Sequence, residues 1–216
     1  MYEYDTLTSG LRPEIHRIFQ RAGLAPNHSE IIRIGAVFVS DKESALRGLM
    51  LIDETIPGLG QHNINERTGK GAVTAVARIE DRDIFRPIQY VGMHLEGHPI
   101  EWLTREIVTM SCLHVENSLK RRLEIDSRLS IGMILKRGNA RTLDADLRDV
   151  LWELNETVYN KSKHTIEHTY AEGHMFSVAD SLAVYLICRT LGYCILKDSG
   201  ITTKYDDPVF DKEKRA

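Results

Sequence analysis

From Pro99 onward the apolar residues of this chain recur at helical steps. In PIEWLTREIVTMSCLHVENSLKRRLE, the residues Ile100, Leu103, Ile107, Met110 and Leu113 or His114 fall three or four apart, the spacing that lines one face of a helix. Pro99 suits a first-turn position. RLSIGMILKR follows, with Ser127 as its candidate cap and Gly138 as its stop. A second stripe runs through Leu143, Leu147, Val150, Leu151, Leu154 and Val158, with Thr142 placed to cap it. Ser177 and Asp180 then form an S-x-x-D capping box ahead of VADSLAVYLICRTLGYCIL, which is apolar almost all round and ends by Gly200. A helix of that kind sits at the centre of a bundle or in a subunit interface. Short connections between the helices of 99–198 predict antiparallel packing as a bundle.

The first part of the chain is less regular. Arg12 to Ala22 reads as a short helix, with Pro13 in its first turn and Gly23 just past its end. Ile34 to Val39 is an apolar, partly β-branched run that fits a buried helix or a strand equally. Ser40 and Glu43 cap a helix running to Ile56. Residues 57–71 form a polar, Gly-rich loop, and AVTAVARI at 72–79 alternates weakly, the pattern of a short strand. Residues 80–98 read as irregular. The expected fold is mainly α, with a helical bundle over 98–200, a helical or irregular region with a short β element over 1–97, and a polar tail over 201–216. The change near 97 marks a domain boundary or a feature within one continuous core.

Composition narrows the function classes. The chain has 216 residues, 42% hydrophobic and 27% charged, an ordinary globular balance. Its net charge is −3 and its pI near 6.3, so it has no general pull on nucleic acid, and such binding would come from a local patch. One candidate exists: Lys120, Arg121, Arg122, Arg128, Lys136, Arg137 and Arg141 stand against Glu124 and Asp126. No aromatic residues interleave with these charges in sequence. Three cysteines, Cys112, Cys188 and Cys194, form no C-x-x-C, which predicts reduced thiols in a cytoplasmic protein. The N-terminus lacks a signal-peptide pattern, and no uncharged run approaches a membrane span. The segment 64–71 has the wrong spacing for a phosphate-binding loop, because Ile64 and Gly71 stand where glycine and a hydroxyl residue are needed.

CLHVENSLKRRL, a short helix, LRDVLWELNETVYNKSKH and a last apolar helix together resemble the HEPN superfamily. The resemblance covers about half the chain. It implies an all-α bundle of the kind found in prokaryotic toxins, anti-phage defence proteins and RNases, commonly a homodimer with its site at the seam. The family's motif is Arg, four to six residues, then His, often with Asn after the Arg, and its chemistry needs no metal. Asn160 and His164 match the Asn and the His; Tyr159 stands in the position of the Arg. The resemblance therefore implies a site of Tyr159, Asn160 and His164, with Lys161, Lys163, Arg121 and Arg122 as RNA-binding cations, no cofactor, and RNA or a protein as partner. Tyrosine carries a neutral hydroxyl and lacks the guanidinium fork. An Arg21-to-His28 spacing also fits, but it contains Gly23 and Pro26 and lies far from the bundle in sequence.

A second reading uses the same segment. His164, Glu167 and His168 spell H-x-x-E-H. On a helix these three share one face, where two neutral imidazoles hold Zn²⁺ and the carboxylate activates its water. That zinc-hydrolase reading needs a third ligand, for which Glu172, His174, Asp180 and Asp198 are the candidates. His114 reads as a hydrogen-bonded, partly buried core histidine; the alternative is that His114 or Glu116 is a site residue facing His164. Glu116 and Lys120, four apart, read as a surface pair.

Overall fold

The computed structural model describes residues 11–22, 84, 86–88, 90–91, 94, 98, 102–125, 128–163 and 176–196. The sequence-predicted elements between 27 and 79, and the segment 164–175, lie outside these residues. No strand occurs among the described residues, and the protein is mainly α-helical there.

Helix α1 is Pro13–Arg21, with proline in its first turn and Ala22 closing its end. Nine residues are too few for a helix to persist alone. Its stability comes from burying Ile15, Ile18 and Phe19, all 0% exposed, in the common core, at about 1.5–3 kcal/mol each. Helix α2 is Thr104–Arg122. It ends where Glu124 turns left-handed at φ 52 and Ile125 N–H closes onto the Lys120 carbonyl at 2.9 Å. Lys120, Arg121 and Arg122 occupy the last turn, where cations complement the helix dipole.

The caps differ from their sequence assignments. Helix α3 is Ile131–Lys136 and starts after Ser130. Gly138 does not simply stop it but opens a 3₁₀ turn, Gly138–Thr142. Thr142 lies inside that turn, and the cap of helix α4, Ala145–Leu154, is Asp144, whose carboxylate accepts from the N–H groups of Asp146 at 2.9 Å and Leu147 at 3.1 Å. An aspartate satisfies two orphan donors and adds a negative charge at the positive helix end. Residues 80–98 are also not irregular throughout: Ile84, Arg86, Pro87, Ile88, Tyr90, Val91 and His94 have helical backbone.

Helix α4 continues through a wide π turn, Asn155–Tyr159, into the short helix α5, Asn160–Lys163. The extra residue in such a turn re-aims the side chains after it, and here Asn155, Val158 and Tyr159 all point inward. Helix α6 is Val178–Leu196. The predicted capping box holds: Ser177 Oγ accepts from Asp180 N–H at 3.0 Å, and Asp180 Oδ2 accepts from Ser177 N–H at 3.0 Å. Arg12 adds its backbone N–H at 3.0 Å and its guanidinium at 3.5 Å to the same carboxylate.

Side-chain contacts set the helix directions. Tyr159, at the end of the π turn, lies beside Glu116 and Cys112 while Ser162 of α5 meets Arg105, so the chain entering α5 runs antiparallel to α2. Cys188 meets Cys112 and Arg189 meets His114, so α6 runs parallel to α2. This up-down-up order brings α2 and α6 together, and they form the most extensive helix pair among the described residues. Helix α6 is long and apolar enough to cross a membrane, but 76% of its apolar window is buried inside the protein, and its Asp180 and Arg189 are buried and bonded.

The α2–α6 seam holds polar groups in a dry core. His114 is 1% exposed. Its Nδ1 lies 2.7 Å from the Ile84 carbonyl and its Nε2 lies 3.2 Å from Arg189 Nη1. A carbonyl only accepts and a guanidinium only donates, so Nδ1 carries the proton and the ring is neutral. Burial, and then the Arg189 charge, push its pKa down to about 3. His114 is thus wholly rather than partly buried, and helix α6 meets it at Gly192, the one α6 glycine, where a Cβ would lie 2.4 Å from Nε2. Cys112 and Cys188, both free and buried, touch at 3.9 Å. Burial, and then the neighbouring thiol, push Cys188 well above the ordinary thiol range.

Candidate functional site

The π turn and α5 carry the sequence-predicted residues 159–163 across the face of α2. Tyr159 is 1% exposed. The Lys163 ammonium sits over its ring, 3.4 Å from the centroid, a cation–π contact. Burial, and then the nearby Glu116 carboxylate, push the Tyr159 pKa far up, so the phenol is neutral at every working pH.

Glu116 is the centre of the cluster. It is 6% exposed, not the surface residue expected. Its carboxylate accepts from Lys120 Nζ at 2.7 Å, from Lys163 Nζ at 3.4 Å and from the Ile131 backbone N–H at 3.3 Å. One carboxylate therefore ties α2, the start of α3 and the end of α5. Glu116 meets Lys163; His164, Glu167 and His168 lie outside the described residues. His114 points instead into the α2–α6 seam.

Lys161 Nζ pairs with Glu14 at 3.3 Å, which fastens α1 to the motif. Burial opposes ionisation of Glu14, but a backbone hydrogen bond and the Lys161 charge outweigh it and leave its pKa below the usual value. Asn160 is half-buried. Arg121 and Arg122 are half-buried on the last turn of α2. Ser162 meets α2 at Arg105, some 17 residues earlier, or roughly 25 Å at 1.5 Å per residue. Lys163 of α5 nevertheless shares Glu116 with Lys120, the residue before Arg121. Arg122 lines a separate cleft of about 420 Å³ with Arg21, Asp146, Leu191 and Cys194.

Two groups near the motif carry no sequence signal. Arg105 Nε donates to the Ser162 carbonyl at 2.7 Å. Trp102, one turn before it, is 75% exposed. No spacing rule links residues 102–105 to 162; only the antiparallel packing of α2 and α5 does. Elsewhere, Lys136 of the basic stretch lies 5.4 Å from the centroid of Trp152, which is 37% exposed, an aromatic neighbour that the linear sequence conceals.

No group of three or more metal-ligating side chains occurs among the described residues. No family model, curated protein or solved structure matches the chain.

The Glu116 cluster makes a stability prediction. Removing one partner of a buried ion pair costs about 3–5 kcal/mol, and the cost falls here because Lys163 and Lys120 side chains keep 31% and 15% exposure. Glu116→Ala should lose about 2 kcal/mol in urea unfolding, and Glu116→Gln, which keeps an acceptor for Ile131 N–H, about half of that. Equal losses in the two variants would show that charge, not the backbone bond, holds the cluster.

Proposed function

We propose that this chain is a HEPN-like cytoplasmic protein of prokaryotic stress or phage defence that binds RNA without cutting it. The observation that carries the reading is the state of position 159. Where the family places an arginine to steady phosphate charge, this chain has a buried, neutral phenol, its ring covered by Lys163 and its pKa raised by burial and Glu116. A neutral group turned into the core gives no stabilisation to a developing phosphate charge. Lys161 and Lys163, the cations beside it, each carry a carboxylate partner. What remains is electrostatic binding by the motif face and by the exposed Lys136 and Arg137, with homodimerisation through the bundle helices as part of the same reading.

The test uses full-length protein and a labelled single-stranded RNA in the presence of chelator. Binding should weaken steeply with added salt, as counterion release requires, and the RNA should stay intact for hours. Light scattering on the same sample should give a dimer mass. Cleavage that vanishes in His164→Ala would replace this reading with an active RNase, and cleavage that needs zinc would favour the H-x-x-E-H hydrolase. No binding even at low salt would remove RNA as the ligand.

A further inference from the structure

We infer that Arg105 and Trp102 form a subsite for single-stranded RNA, in which the guanidinium holds a phosphodiester and the indole stacks a base. The inference rests on the RNA-binding reading above and gives that face its missing guanidinium. Three cations touch the segment 159–163: Lys161, Lys163 and Arg105. Lys161 pairs with Glu14, and Lys163 shares the Glu116 carboxylate with Lys120. Arg105 has no carboxylate partner among the described residues. Its one bond there is from Nε to the Ser162 carbonyl, at 2.7 Å, and a carbonyl leaves the full positive charge in place.

That bond also fixes how the group is presented. With Nε held against Ser162, the planar fork has a set orientation, and no described residue bonds its two Nη nitrogens. Paired donors on a fixed plane match two oxygens of a phosphodiester. The half-buried position of Arg105 strengthens the interaction relative to a fully solvated lysine. Glu106 is the exposed acid of this turn, and it does not bond Arg105.

Trp102 supplies the second element. An indole 75% exposed forgoes much of the stabilisation that its burial would bring. It lies three residues before Arg105, in the turn that leads into α2. A π-face beside a cation is the arrangement that holds unpaired bases along a charged backbone. Duplex RNA hides its base faces, so the geometry selects single strands.

The experiment uses the full chain carrying Trp152→Phe, which leaves Trp102 as the sole indole of the two. Titration with short single-stranded oligouridine should quench its fluorescence in step with binding measured by anisotropy. In the otherwise native chain, Trp102→Ala and Arg105→Ala should each weaken binding about tenfold, and Arg105→Ala should also lower the salt slope by about one. Trp102→Ala removes an exposed side chain and should leave the melting temperature unchanged, so its loss of affinity does not reflect unfolding. Arg105→Lys should recover part of the affinity. Oligouridine binding with no quench, and with unchanged affinity in both alanine variants, overturns the subsite while leaving RNA binding itself intact. Failure of the parent chain to bind oligouridine removes the reading on which the subsite rests. Equal competition by a phosphorylated peptide, with the same quench, would reassign the subsite to a protein ligand.

Discussion

Gly192→Ala should lower the unfolding free energy by about 3 kcal/mol, although alanine is the better helix former. Glycine inside a helix costs about 1 kcal/mol relative to alanine, so by propensity alone the change stabilises. The site reverses the sign. A Cβ at 192 would lie 2.4 Å from His114 Nε2, 3.0 Å from Cδ2 and 3.2 Å from Cε1. The ring has little room to give way, because it is 1% exposed and held between the Ile84 carbonyl and Arg189. Overpacking a core costs about 1–3 kcal/mol, and a displaced bond to a buried guanidinium adds about 1.5–3 kcal/mol. In a chain of this size the net loss lowers the melting temperature by about 10 °C. Gly138→Ala is the control: a Cβ there would meet nothing within 4 Å, and the melting temperature should hold or rise slightly. A neutral Gly192→Ala would mean that α2 and α6 separate easily enough to admit a methyl group.

Stability should also fall steeply below pH 6.5, and His114 should account for about one proton of that slope. The folded protein keeps this ring neutral, with a pKa of about 3 set first by burial and then by the Arg189 charge, against a weaker opposing contribution from the Ile84 hydrogen bond. In the unfolded chain the ring titrates near 6.5. Between these values the unfolded state binds a proton that the folded state refuses. The stabilisation is therefore complete above about pH 6.5 and is lost as pH falls toward 3, by about 1.4 kcal/mol per unit. Urea unfolding of wild type and His114→Gln across pH 4–6 isolates the effect from the carboxylates, which titrate in both. The variant should be less stable at pH 7 and have the shallower slope. Parallel slopes would show that the buried ring accepts its proton without opening the seam.

Local pattern carried the helices well. The three- and four-residue spacing located α2 and α4, and the S-x-x-D box started α6 at Val178. Periodicity suffices there because burial of one face decides the conformation. It was less reliable for caps. Thr142 and Asp144 lie two residues apart, and choosing between them depends on where the preceding turn sends the backbone. The 3₁₀ turn at Gly138–Thr142 made Asp144 the cap.

The candidate site was legible only in part. Residues 159–163 were visible as a motif with tyrosine at its head, and the consequence of that tyrosine was not. An exposed Tyr159 and a buried one have the same sequence; the π turn at Asn155–Tyr159 turned it inward. Glu116 looked like half of a surface i,i+4 pair, and became the buried carboxylate joining three helices once α5 and α3 packed onto α2.

The sequence by itself determined a mainly helical chain, the extent of its long helices, its mild acidity and the absence of arginine at position 159. These follow from side-chain type and spacing along one segment. Only the tertiary structure decided which charges are neutralised, which aromatic ring is buried and which arginine reaches the motif. Such properties depend on groups far apart in the chain meeting within a few ångströms, as Arg105 and Ser162 do across 57 residues, and no local pattern encodes that meeting.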